Sequence, residues 1–159
     1  MADELRFVLA LDCGTKTGWA ALRDAKIESG VQLFDLRRGE SAGMRWLRFD
    51  AWLWELYKWF PFTLIVYEQA HHRGGAATAV GVGFTTKILE FAALRKCETM
   101  PVHTATLKKF TTGGGKADKE EMKRAIARRW EKLFLDDNEA DAYALLRYAM
   151  EELAIRRAE

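Results

Sequence analysis

Cysteine and proline are scarce, two of each in 159 residues. Cys13 and Cys97 have no metal-ligand spacing around them and cannot form the disulfide framework of a small secreted domain, so reduced thiols are expected. Histidine is nearly absent too: His71 and His72 are adjacent, no paired cysteines accompany them, and a zinc site is not indicated. His103 reads as a structural residue. No apolar run reaches the roughly 20 residues of a membrane span. The richest stretch, Ala51 to Tyr67, is broken by Glu55, Lys58 and Pro61, and the start of the chain lacks the basic-then-apolar order of a signal peptide. A soluble protein of the cytoplasm, with no membrane partner, is the expectation. There is no Ser-, Gly- or Gln-rich tract and no excess of one charge, since 25 Lys+Arg stand against 23 Asp+Glu. With 49% hydrophobic residues, the composition is that of one folded domain spanning 1–159.

What is present reads as strands followed by helices. Phe7-Val-Leu-Ala-Leu11 is an unbroken apolar run ending in Asp12, the pattern of a strand buried on both faces. Thr17 to Leu22 and Ile27 to Leu36 can pair around a turn at Arg23–Lys26 and complete an antiparallel meander. Ser41 is positioned as the N-cap of a helix over Met44 to Phe60, whose apolar residues Trp46, Phe49, Leu53, Leu56 and Phe60 share a face. Its other aromatics, Trp52, Trp54, Tyr57 and Trp59, exceed one core contact, so part of this load could face a partner. Thr63 to Tyr67 predicts a central strand running into Glu68. A helix over about Thr78–Lys96, a strand over Thr99–Val102, a break at Gly113–Gly115, and helices from about Lys119 and Asn138 follow. The order βββαβαβαα describes an α/β domain around a mixed five-stranded sheet, three strands antiparallel and then two parallel.

Three acids stand where elements end or begin: Asp12 closing the first strand, Glu68 closing the fourth, and Asp141 in the first turn of the last helix. One Asp at a strand end is commonly a turn residue. Two carboxylates that each follow a buried apolar run are different, because unpaired buried charge costs several kcal/mol and a divalent cation is the usual compensation. Oxygen-only donors select Mg²⁺ or Mn²⁺ over zinc. The segment Leu9-Ala-Leu-Asp12-Cys-Gly-Thr-Lys-Thr-Gly18 adds a tight glycine turn and small hydroxyl residues, which let backbone approach a phosphate. Sugar kinases and actins carry a similar hairpin, but no second Asp-Gly-Thr hairpin or adenosine loop is found here.

Four motifs in order resemble the RuvC family of Holliday junction resolvases, within the ribonuclease H-like fold, over nearly the whole chain. Besides Asp12 they are Leu64-Ile-Val-Tyr-Glu68-Gln69, similar to the family's second ligand strand; Gly115-Lys-Ala-Asp-Lys119-Glu-Glu-Met122, similar to its basic loop beside the scissile phosphate; and Asp136-Asp-Asn138-Glu-Ala-Asp141, similar to its closing acidic helix. The resemblance implies a crossover junction endodeoxyribonuclease that uses two Mg²⁺ or Mn²⁺ ions to cut branched DNA symmetrically as a homodimer, the long helix after Glu68 helping to form the dimer. It implies catalytic roles for Asp12, Glu68, Asp141 and Lys119, with metal held by Asp12, Glu68 and Asp141. The fourth ligand stays open between Asp137 and Asn138, because the family usually has an acid where Asn138 stands; both could instead simply cap the helix. The short chain and this Asn suggest the bacteriophage-type or another divergent branch, acting in a bacterial or phage-infected cell.

DNA contact is expected from His71, His72, Arg73, Lys108, Lys116 and Lys123. From Gln69 to Arg129 twelve basic residues stand against five acidic ones, a local excess that the overall charge of +2 conceals. Where many family members place an aromatic wedge after the second ligand, this chain has Ala70-His71-His72-Arg73, a weaker stacking set. Two rivals remain from the sequence: a junction-binding module that has lost its second metal, and a related nuclease of RNA–DNA hybrids.

Overall fold

The computed structural model describes residues 7–69 and 74–158. Its elements are β1 (Phe7–Asp12), β2 (Lys16–Arg23), β3 (Lys26–Leu33), α1 (Gly43–Trp59), β4 (Leu64–Glu68), α2 (Gly75–Arg95), β5 (Glu98–Val102), α3 (Thr104–Thr112), α4 (Lys119–Trp130) and α5 (Asp137–Ala158). The strands form one sheet in the order β3-β2-β1-β4-β5. β1, β2 and β3 pair antiparallel, whereas β4 lies parallel to β1 and β5 parallel to β4. The β2–β3 turn places Asp24 (φ 46°) and Ala25 (φ 68°) in the left-handed region, as a tight two-residue hairpin requires. β5 pairs with β4 alone and is an edge strand, which accommodates Pro101.

Strand alternation divides the interior into two cores. Val8, Ala10, Leu64 and Val66 face α5, packing with Tyr143, Leu146 and Ala149. Leu9, Leu11, Ile65 and Tyr67 face the other way, against Phe49 and Leu53 of α1 and Phe84, Ile88 and Phe91 of α2. Because β1 is covered on both sides, all four residues of Val8–Leu11 are 0% exposed. The second core is strongly aromatic, with Phe49 and Phe84 edge-to-face at 4.9 Å and Trp46 on Phe84 at 5.0 Å. Such pairs contribute about 0.5–1.5 kcal/mol each beyond their burial. Gly83 makes room for the indole: a Cβ there would lie 2.2 Å from the Trp46 ring. Trp46, Trp52, Trp54 and Tyr57 all pack against this core, so the aromatic load of α1 is mostly internal, and only Trp59 projects into solvent.

The structure departs from the sequence reading at four places. β3 stops at Leu33 rather than Leu36, because the chain leaves the sheet to bury Phe34 among the aromatics. α1 begins at Gly43 rather than Met44, with Ala42, which has no side-chain acceptor, at the cap position and the Ser41 hydroxyl accepting from Gly43 N–H at 3.3 Å. The most apolar long segment is α2 rather than Ala51 to Tyr67. By length and composition alone α2 could cross a membrane, yet Phe84, Ile88, Phe91 and Ala92 are buried within the protein. Finally, α3 was not anticipated. Its sequence Thr-Ala-Thr-Leu-Lys-Lys-Phe-Thr-Thr is rich in β-branched residues of modest helix propensity, but burial of Leu107 and Thr111 holds it, and Gly113 (φ 90°) ends it in the left-handed region.

Candidate active site

Parallel pairing of β1 with β4 in the register Leu11 to Tyr67 sets the next residues, Asp12 and Glu68, side by side at the carboxyl ends of the two central strands. By alternation both belong to the face covered by α5. The hairpin after Asp12 is closed by Thr17, which is fully buried and donates its hydroxyl to Gly14 C=O at 2.8 Å. Gly14 itself has no positive φ and would admit a Cβ at ordinary contact distance, so this turn does not depend on glycine.

Gly18, the register partner of Asp12 in β2, does. A Cβ on Gly18 would lie 1.9 Å from the Asn138 carbonyl oxygen and 2.7 Å from the Glu139 nitrogen, so the first turn of α5 rests directly on this hairpin. Asp136 caps the helix, accepting the N–H groups of Asn138 (2.9 Å) and Glu139 (3.0 Å), and is ion-paired with Lys16 of β2. Ser29 of β3 donates to Glu139 at 2.9 Å. The last helix is thereby docked onto the first hairpin, which carries Asp141 to Asp12 and Glu68.

The three acids act on one another electrostatically. Burial pushes the Asp12 carboxyl well above the usual carboxylate range; Glu68, Asp141 and Asp136 push it further, and Lys119 only partly offsets them. Asp141 is raised to about 7, first by burial and then by Glu68 and Asp137, with Lys108 and Lys119 opposing. The Cys13 thiol is driven up by burial and by Asp12 and Glu68, so it stays protonated and is no nucleophile. Asp136 behaves in the opposite way. Burial works against its charge, but the Lys16 ammonium and the Glu139 and Asn138 N–H groups outweigh that and hold it below the ordinary value.

Asp12, Glu68 and Asp141 thus form one electrostatic group, with Lys119 and Lys108 within reach. The donor chemistry fits a hard divalent cation: carboxylate oxygens only, with half-buried negative charge that the lysines only partly offset. Among the described residues, no group of three or more His, Cys, Asp or Glu side chains is already closed into an arrangement that could hold an ion. Other partners hold two of the acids. Glu68 Oε1 accepts the hydroxyl of Thr104, the first residue of α3. Asp137 is turned toward α4, paired with Lys123 at 3.1 Å and Lys119 at 3.5 Å. Asn138 has its backbone against Gly18.

Of the basic residues singled out from sequence, Lys119 begins α4 after the Asp118–Glu121 capping box, and Lys116 is exposed in the preceding turn. Lys123 is occupied by Glu120 and Asp137. Lys108 lies one turn after Thr104 on α3. His71, His72 and Arg73 lie outside the described residues. Sequence reasoning missed Thr104, and with it α3; the only signals were Leu107 and Thr111 four apart and the terminating Gly113. A cleft of about 200 Å³ opens beside the acids, between the strand ends and α2, lined by Cys13, Tyr67, Gln69, Gly81 and Thr85.

The mixed sheet in this order with its flanking helices is a fold shared with several solved structures. The chain is similar to the Thermus thermophilus RuvC structure, with 19% identity over 93% of this chain and 96% of that one and a TM-score of 0.73. It is similar also to T. thermophilus RuvC in complex with Holliday junction substrate (20% identity, 92% and 94% coverage, TM-score 0.75). The Fowlpox virus resolvase in complex with its Holliday junction DNA shares the fold more distantly, at 10% identity, 91% and 99% coverage and a TM-score of 0.58. No family model matches the sequence, and no curated protein matches it.

Proposed function

We propose that this chain is a metal-dependent endodeoxyribonuclease that resolves four-way and other branched DNA junctions by paired phosphodiester hydrolysis. The observation that carries the reading is the group Asp12, Glu68 and Asp141, half-buried and mutually repelling at one end of the sheet, within the field of Lys108 and Lys119. Asp12, Glu68 and Asp141 would hold Mg²⁺ or Mn²⁺, with Asp137 or Asn138 as the remaining oxygen donor. When bound, two such ions supply the charge that favours ionisation of the attacking water and stabilises the leaving 3′ oxygen. Lys119 and Lys108 are set to hold the non-bridging phosphate oxygens and orient the strand in line. Lys116, exposed in the turn before α4, and Lys123 extend the positive surface along the backbone, and His71, His72 and Arg73 are proposed to contact DNA as well.

The discriminating experiment is cleavage of a labelled synthetic four-way junction beside its linear duplex, with Mg²⁺, Mn²⁺ or EDTA. Paired metal-dependent cuts in opposite arms of the junction, with the duplex spared, are expected. Equal cutting of the duplex would make it a general nuclease, and cutting of RNA in a hybrid would move it to another branch of the fold. One observation favours a junction binder that does not cut: Asp137 is engaged by Lys119 and Lys123, and its neighbour Asn138 is neutral. Binding that is equal with and without metal, with all strands intact, would be its signature.

Symmetric cutting needs two sites, and α2 supports a homodimer. Ala79, Val82, Thr86, Leu89 and Ala93 are all exposed and recur at spacings of three and four, the seam of a helix pair. Val82 and Leu89 are 46% and 47% exposed. Replacing both by Glu is expected to give a monomer in sedimentation that nicks single strands rather than making coincident cuts. A monomeric wild-type protein would sink the dimer reading.

A further inference from the structure

Glu68 ends β4 with a long side chain, and the strand alone does not determine where its carboxylate lies. Its backbone is fixed: Glu68 is in register with Val102 of β5, and Gln69 N–H donates to Val102 C=O at 2.7 Å. Two residues past Val102 the chain turns into α3, with His103 extended (φ −69°, ψ 143°) and Thr104 as the first helical residue. This turn delivers the Thr104 hydroxyl to Glu68 Oε1. The donor stands on a rigid support. Leu107 and Thr111 anchor α3 in the α5-side core at 1% and 2% exposure, Leu107 N–H donates to His103 C=O at 3.0 Å, and a β-branched side chain has few rotamers to choose among. The first residue of a helix also puts the bound carboxylate at the positive end of α3.

We propose that Thr104 is a positioning residue for Glu68, its hydroxyl holding Oε1 so that Oε2 is the oxygen left for a cation shared with Asp12 and Asp141. The inference rests on the metal-dependent reading of this site and adds to it a residue from an element with no acidic motif. Partners of this kind hold ligand carboxylates in orientation, and their loss typically weakens metal affinity or activity by about 10–100-fold.

The test compares wild type, Thr104→Val, which keeps the shape and loses the donor, and Thr104→Ser, which keeps the donor. Mn²⁺ binding without DNA, measured by electron paramagnetic resonance, is expected to weaken at least about tenfold in Thr104→Val and to return to within about threefold of wild type in Thr104→Ser. The Mn²⁺ concentration for half-maximal junction cleavage should shift in parallel, while junction binding in Ca²⁺ and the melting temperature stay near wild type. If the Val variant melts early, a Ser variant with wild-type melting and Mn²⁺ affinity beside a weakened Thr104→Ala carries the same conclusion. Mn²⁺ affinity unchanged in Thr104→Val overturns the inference while leaving the nuclease reading intact. Thr104-dependent Mn²⁺ binding in a wild-type protein that cuts no junction would overturn the nuclease reading and leave the inference standing.

Discussion

Asp12→Asn is expected to abolish junction cleavage and, in the same molecule, to raise the melting temperature of the metal-free protein. Asp12 sits at the centre of the acidic group, beside Glu68 on the neighbouring strand and within the field of Asp141 and Asp136. If its carboxylate holds the cation, the amide cannot replace it, and losing several kcal/mol of charge stabilisation corresponds to about 10³-fold or more in rate. Stability moves the other way, because the folded, metal-free chain confines like charges. Both Asp12 and Asp141 have folded-state pKa values raised above their unfolded ones, so the folded state retains protons that the unfolded chain releases. Stability therefore declines as pH rises from about 4, and the Asp141 contribution is lost as pH passes through about 7. For Asp141, raised to about 7, that loss is at most roughly 4 kcal/mol. Removing the charge of Asp12 should raise the Tm of the metal-free protein at pH 8 and flatten the decline. Saturating Mg²⁺ should raise the wild-type Tm at pH 8 more than at pH 5. An Asn variant that cuts like wild type, or melts lower at pH 8 without metal, would sink this account.

Gly18→Ala is the second large effect, and it arises from backbone contact rather than from charge. The added methyl would meet the Asn138 carbonyl at 1.9 Å, against about 3.5 Å for ordinary contact. Both sides of the clash are backbone, one in a central strand and the other in the first turn of α5, so neither can rotate away. Relief requires α5 to shift by more than an ångström, taking Asp137, Asn138 and Asp141 with it. Overpacking of this kind costs about 1–3 kcal/mol, and a displacement of about 1 Å at reacting groups can cost about 10²-fold in rate. We expect a Tm lowered by about 3–10 °C and cleavage reduced about a hundredfold, with junction binding largely kept. Gly14→Ala, in the same hairpin, meets only Lys16 backbone atoms at 3.5 Å and beyond and should change stability by less than about 0.5 kcal/mol. If the two variants behave alike, close approach of α5 is not what Gly18 provides.

Much of this was readable in advance where a pattern is local. The apolar run Phe7–Leu11 ending in Asp12, and Leu64–Tyr67 ending in Glu68, show both strand and site because burial on two faces leaves the terminal acid conspicuous. Closure of the hairpin at Asp24–Ala25 was legible as a turn for the same local reason. What sequence could not supply were relations settled by packing. Asp136, Asp137 and Asn138 are adjacent letters, yet one caps α5 and binds Lys16, the next is drawn to α4, and the third lies against Gly18. Gly14 reads as the turn glycine, while the requirement for glycine lies at Gly18, where a helix more than a hundred residues later touches down. α3 escaped notice because nine residues rich in threonine are helical through burial of Leu107 and Thr111 rather than by preference.

The docking of α5 on the first hairpin also governs when the site can exist. Ser29 and Glu139, one of the contacts that seat the helix, are 110 residues apart, and Asp12 and Asp141 are separated by more. A chain emerging from the ribosome can build the β1–β2–β3 meander from neighbouring residues, but it has no third carboxylate until α5 has cleared the exit tunnel. The acidic group therefore cannot assemble before the chain through Asp141 has been made and α5 has docked on the hairpin.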